Sequence, residues 1–152
     1  MSHVVSIKTE LKDLDAARLA AEELGGQLLT EVKQGRWYGR WVNDYGAKDA
    51  AYKLGIRPED YGKCDAVIRF KDSAYDVMLA KNPETGGYRV YWDFFGPGAT
   101  LSRHMGGQDA RKLLQLYGVH KATLEAKKKG MLVIRQPQPN GIIRLQIQGR
   151  SL

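Results

Sequence analysis

The chain reads as an α+β protein: a mainly antiparallel sheet with two helices packed on one face. Three observations predict this. Strand-like runs outnumber helical patterns. Most connections are short. The two helical patterns stand near the start and near the end, not between successive strands. At 152 residues the chain is expected to form a single domain over 1–152. A chain of this size buries about 70% of its unfolded surface, enough for a core without staples.

The elements follow in order. His3–Leu11 is rich in β-branched residues and predicts a first strand. Asp13 is a good N-cap, Leu14, Ala17, Ala21 and Leu24 recur at helical spacing, and Gly25-Gly26 stops that helix. Gln27–Val32 and Arg36–Val42 predict two strands joined at Lys33-Gln34-Gly35, with Trp37 and Trp41 on one face. Asn43–Lys63 holds Gly46, Gly55, Pro58 and Gly62 and predicts an excursion from the sheet, with a short helix over Lys48–Leu54.

Ala66, Ile68 and Phe70 alternate, as do Tyr75, Val77 and Leu79, and predict two further strands. Tyr88–Phe95 predicts an aromatic strand ended by Gly96-Pro97-Gly98. Gln108–Lys129 is the longest helical pattern, stopped by Gly130. Met131–Gln136 and Ile142–Gln148 predict a closing hairpin, because Asn140-Gly141 tolerates positive φ. In its last strand Ile143, Leu145 and Ile147 face one way, with Leu145 expected to be buried against a helix. Arg144 faces the other way, where Arg135 is expected to pair across from it.

Charge is distributed unevenly. Residues 1–101 hold 14 Lys+Arg against 15 Asp+Glu, and residues 102–152 hold 10 against Asp109 and Glu125 alone, a net of +8. Such an asymmetry points to an acidic protein partner or to nucleic acid. In the long helix Ala110, Leu113, Leu114, Tyr117 and Leu124 form an apolar arc. Arg111, Lys112, Lys127 and Lys129 lie off that arc, and Lys121 and Lys128 lie at its edge. Lys127–Lys129 also compensates the helix dipole. The candidate partner-binding residues are therefore Lys121, Lys127, Lys128, Lys129, Arg135, Arg144 and Arg150.

Several segments resemble one family of uncharacterised proteins. They are Met1-Ser2-His3 with Ile7-Lys8-Thr9, Tyr61-Gly62-Lys63-Cys64-Asp65, Tyr91-Trp92-Asp93-Phe94, Tyr117-Gly118-Val119 and the ending from Gly130 to Leu145. Their order and spacing are similar to the family known as hypothetical chloroplast frame thirty-five, which also occurs in cyanobacteria, other bacteria and phages. The resemblance covers most of the chain except Val42 to Pro58. It implies a fold and no established activity, cofactor or residue role.

Catalytic patterns are thin. His3, His104, His120 and Cys64 form no metal-ligand spacing. Cys64 with His104 or His120 is the alternative of a small enzyme, against the plainer reading of Cys64 as a small side chain at a turn. The glycines before the long helix lack a following Lys-Ser/Thr, and Asp109 stands where a phosphate would sit, so Asp109 is expected to cap or begin that helix. Arg36, Trp37, Tyr38 and Arg40, like Tyr88, Arg89, Tyr91 and Trp92, mix rings with cations as single-strand binders do. Aromatic strands are more often core. One cysteine excludes an internal disulfide, and no long apolar run or leader pattern stands in the chain, so a cytoplasmic protein without a membrane span is expected. The function predicted is a non-enzymatic binding or adaptor protein that docks an acidic partner on its basic last third, with no cofactor and no metal.

Overall fold

The computed structural model describes residues 4–7, 9–38 and 60–149. Among them the elements run β1 (Val4–Ser6), α1 (Leu14–Glu23), β2 (Gln27–Leu29), β3 (Ala66–Arg69), β4 (Val77–Lys81), β5 (Tyr88–Asp93), α2 (Gly98–Met105), α3 (Arg111–Lys128), β6 (Leu132–Pro137) and β7 (Ile143–Gln148). The fold is α+β. Five strands form one antiparallel sheet in the order β1-β5-β4-β3-β2, and β6 with β7 forms a separate two-stranded ribbon.

Both faces of the large sheet are covered, because alternate residues of each strand find different partners. Leu28, Ala66, Ile68, Leu79, Val90 and Trp92 join the cluster that holds Ala16 and Ala20 of α1, Leu101 and Met105 of α2, and Leu113 and Leu116 of α3. Val67, Met78 and Tyr91 point the other way and meet Val32, Trp37, Tyr61 and Cys64. All the described helices thus share one face, as expected, but among the described residues there are three and not two.

The third helix, α2, escapes a periodicity search because it is one short stretch between glycine pairs. Its apolar signal is only Leu101 and Met105, at i and i+4. Gly98 opens it, and any Cβ there would collide with the Asp93 carbonyl oxygen. Trp92 Nε1 donates to Ser102 Oγ at 3.0 Å and fixes the helix on the sheet.

The first helix begins as predicted. Asp13 is in extended backbone, and its carboxylate accepts from the N–H groups of Asp15 and Ala16. A link across the chain completes this cap: Tyr117 Oη accepts from the N–H groups of both Lys12 and Asp13, at 2.9 Å each. The long helix α3 differs from its expected start. Ala110 is its N-cap, left-handed at φ 55°, and no side chain caps it. Asp109 is therefore not the cap.

The predicted hairpin around Lys33-Gln34-Gly35 does not form. β2 ends at Leu29 and pairs with β3. Arg36–Tyr38 is not a strand, and nearby only Gln34 makes a single bridge, to Lys63. The reason is local. The N–H of Arg36 donates to Asp76 Oδ2, and its carbonyl accepts from the Asp76 N–H, so its ladder groups are already engaged. Residues 39–59, with most of the predicted excursion and Trp41, lie outside the described residues.

The closing hairpin forms with a longer connection than a two-residue turn. Gln138 N–H donates to Ile142 O, and Gly141 N–H to Gln138 O. Pro139, Asn140 and Gly141 make the loop, with Gly141 left-handed at φ 83°. The ribbon rests on α3 with part of one face and stays off the large sheet. That corrects two expectations. Leu145 is half-buried, since the ribbon has one supported face and no second layer. Arg135 stands opposite Leu145, while Arg144 stands opposite Gln136. The two arginines are on opposite faces because a shift of one residue changes the face.

Candidate functional site

The predicted basic residues separate once placed in space. Lys127, Lys128 and Lys129 are exposed at the C-terminus of α3, where they also meet its dipole. Arg144 is exposed on the ribbon face that it shares with Ile134 and Gln136. Lys121 is half-buried. Arg150 lies outside the described residues.

Arg135 is engaged within the molecule. Its Nη2 lies 3.1 Å from both carboxylate oxygens of Glu23 on α1, and His120 Nε2 lies 2.9 Å from Glu23 Oε1. Partial burial would raise the Glu23 pKa, but the hydrogen bonds from Arg135 and His120 outweigh it and hold the carboxyl below its ordinary value. These contacts tie α1, α3 and the ribbon together.

The ribbon adds what the charge pattern alone did not show. Leu132, Ile142 and Ile147 are 59%, 56% and 49% exposed, and Met131 and Ile134 are also on the surface. Two grooves mark the ends of the strand pair. One, of about 490 Å³, runs past Lys127, Met131, Leu132 and Gln148. The other, of about 500 Å³, lies between the hairpin tip and α3 and is lined by Arg111, Lys112, Gln115 and Ile142. Sequence did carry a signal for this. Ile142-Ile143 and Met131-Leu132-Val133-Ile134 are continuous apolar runs, and a ribbon supported on one face cannot bury both sides of them.

The catalytic alternatives find little support in the geometry. Cys64 Sγ donates to the carbonyl of Val32 at 3.7 Å, and burial pushes its thiol up to about 11. His104 is held by Asp72 at 2.9 Å and stacks on Phe70, and His120 is held by Glu23. Neither is a base for Cys64. Among the described residues, no three His, Cys, Asp or Glu side chains converge as a metal site. The glycine loop before α3 uses its own N–H groups: Gly106 donates to Arg103 O and Gly107 to Ser102 O. Those donors are not available to a phosphate.

The aromatic candidates divide, with Tyr38 exposed and Tyr88 half-buried. Tyr91 and Trp92 are buried, and Trp37 packs edge-on against Tyr61 with centroids 5.7 Å apart. A cleft of about 440 Å³ near Arg36, Arg69 and Lys71 looks cationic by composition. Both guanidiniums there are spent on Asp76, and Glu22 and the carbonyl end of α1 stand at its rim.

No described helix is long and apolar enough to cross a membrane. Comparison with family models, with curated proteins and with solved structures finds no match to this chain.

Proposed function

We propose that this protein is a non-enzymatic docking module that holds an acidic protein partner on its basic last third. The observation that carries this is the coincidence of two surfaces: the exposed apolar side chains of the β6–β7 ribbon and the exposed cations Lys127, Lys128, Lys129 and Arg144 that border it. Apolar area supplies the affinity of an interface, and charge supplies orientation and association rate. Arg111 and Lys112 extend the cationic border to the hairpin tip.

Nucleic acid is the second outcome to be tested. The interior position of Tyr91 and Trp92 removes two of the rings that could stack on bases, which favours the protein partner. The test reverses Lys127, Lys128, Lys129 and Arg144 to Glu together and leaves Arg135 in place. Binding to a poly-glutamate peptide and to a generic DNA duplex is measured at low and at physiological salt. The docking proposal expects peptide binding that falls with salt and disappears in the reversed variant. Binding of duplex alone, with a steep salt dependence, would assign the surface to nucleic acid. Binding of the peptide that survives the reversal would reduce the charge to ordinary surface.

A further inference from the structure

We infer that the partner docks as an added strand on the outer edge of β7, in the form of an extended segment with carboxylates at both ends. This rests on the docking function proposed above and specifies its geometry.

The edge is identified by the hydrogen-bond register. Gln138 N–H donates to Ile142 O and closes the ladder. In an antiparallel pair hydrogen-bonded and non-hydrogen-bonded positions alternate. Gln136 with Arg144, Ile134 with Gln146, and Leu132 with Gln148 are then the pairs bonded to each other. Ile143, Leu145 and Ile147 direct their N–H and C=O groups outward. No proline interrupts that row, and no backbone hydrogen bond joins it to any other described element.

The other edge is poorer. Its outward row is Val133, Arg135 and Pro137, and Pro137 has no N–H. The Met131 N–H is already engaged with Ala126 O. A strand exposed in this way is a template for another strand unless something blunts it. Pro137 blunts β6, and nothing comparable is present on β7.

Charge selects the occupant. The tip end of β7 lies beside Arg111 and Lys112, and its far end beside Lys127. The six residues of β7 span about 20 Å at a strand's rise. An added strand would meet cations at its two ends and the row of Ile143, Leu145 and Ile147 between them. An acidic segment with apolar residues at alternate central positions is complementary to this. A second copy of the chain is not, because it would bring the same cations face to face. Strand addition of this kind draws affinity from main-chain bonds and specificity from alternate side chains.

The experiment uses the full chain and three fluorescent peptides of about ten residues. The first alternates valine and glutamate. The second is the same peptide with alternate amides N-methylated, which blocks one edge. The third alternates valine and lysine. Anisotropy is read at low salt, with Leu145→Pro as the protein variant and thermal unfolding as its folding check. Proline there removes an outward N–H and repeats on β7 what Pro137 already does on β6. The expected result is binding of the first peptide, at least tenfold weaker binding of the methylated one and of Leu145→Pro, and no binding of the lysine peptide. If Leu145→Pro does not fold, the methylated peptide decides alone.

Equal binding of the plain and methylated peptides, lost on reversal of Lys127–Lys129 and Arg144, would overturn strand addition and leave the docking proposal standing. Binding that ignores both methylation and reversal would overturn both. Absence of binding by the plain peptide would also overturn strand addition. A concentration-dependent dimer in solution that Leu145→Pro abolishes would assign the edge to self-association instead.

Discussion

Asp76→Asn is the perturbation whose cost the structure specifies best. The Asp76 side chain is 0% exposed, yet it carries a charge. It receives Arg36 Nη2 at 2.9 Å and Nε at 3.1 Å, Arg69 Nη2 at 2.9 Å and Nε at 3.0 Å, and the Arg36 backbone N–H at 3.0 Å. Burial by itself would raise its pKa. The hydrogen bonds from Arg69 and Arg36 outweigh that and hold the carboxyl below its ordinary value. Removing one partner from a fully buried ion pair costs about 3–5 kcal/mol. Here the Arg36 and Arg69 side chains are 44% and 34% exposed and can rehydrate when the carboxylate is gone. The cost therefore falls to about 2–3 kcal/mol, most of it from the lost charge-assisted bonds. For a domain of this length each kcal/mol moves Tm by about 2–4 °C, so the variant should melt about 4–12 °C lower at neutral pH. The pH dependence supplies a second constraint. A depressed carboxyl contributes stability above its unfolded pKa and loses it as pH falls through the depressed folded value. The difference in Tm between the native chain and Asp76→Asn should hold from pH 7 to about 5 and shrink below about pH 4. A loss under about 1 kcal/mol at pH 7, or a difference unchanged at pH 3, would refute the reasoning; both are read by calorimetry or by melting followed with circular dichroism.

Three more outcomes are expected from thermal or denaturant unfolding. Tyr117→Phe strips the acceptor from the N–H groups of Lys12 and Asp13 and should cost about 1–3 kcal/mol, although the ring stays in place. Gly98→Ala should be more damaging than its single added methyl suggests, since the Cβ meets the Asp93 carbonyl, a backbone atom that cannot turn away. Leu113→Ala in the shared core should cost about 2–5 kcal/mol, whereas Leu145→Ala on the ribbon should cost about 1–2, because less apolar area is lost and no closed cavity forms.

The parts of this fold that were legible are those decided by local chemistry. Asp13 and Gly25 mark the ends of α1 because a cap needs an acceptor and a stop needs positive φ. The alternation in Ala66–Arg69 and Tyr88–Asp93 is a local property as well. What stayed hidden depends on distant partners. Nothing near Arg36 in sequence indicates that Asp76 takes its backbone groups, and without that knowledge Arg36-Trp37-Tyr38 looks like strand. Asp109 looks like a cap, but the buried, left-handed Ala110 occupies that position. The site was half legible for the same reason. The cations could be counted from the sequence, but the ribbon's separation from the main sheet, which exposes Leu132, Ile142 and Ile147, is a tertiary fact.

The surplus of positive charge in the last third takes on a different shape once the acids of the first two thirds are placed. Glu23 reaches Arg135, and Asp72 holds His104 at 2.9 Å with Arg103 at 4.0 Å. Two carboxylates from the balanced part of the chain thus answer cations of the basic part, and they do so on the side where α1 and α2 lie. The cations left without an acid among the described pairs include Arg111, Lys112, Lys127, Lys128, Lys129 and Arg144, and these border the ribbon. A merely solvating surface would need no such division, and it would place polar side chains at positions 132, 142 and 147. The ribbon instead presents leucine and isoleucine there, beside a strand edge whose main-chain groups have no described partner. Desolvating that area is favourable only if a second surface covers it, and under the docking proposal the cations at its ends would set the charge which that surface brings. The Glu23–Arg135 pair fixes the platform, and under the docking proposal the remaining basic residues would act on what binds to it.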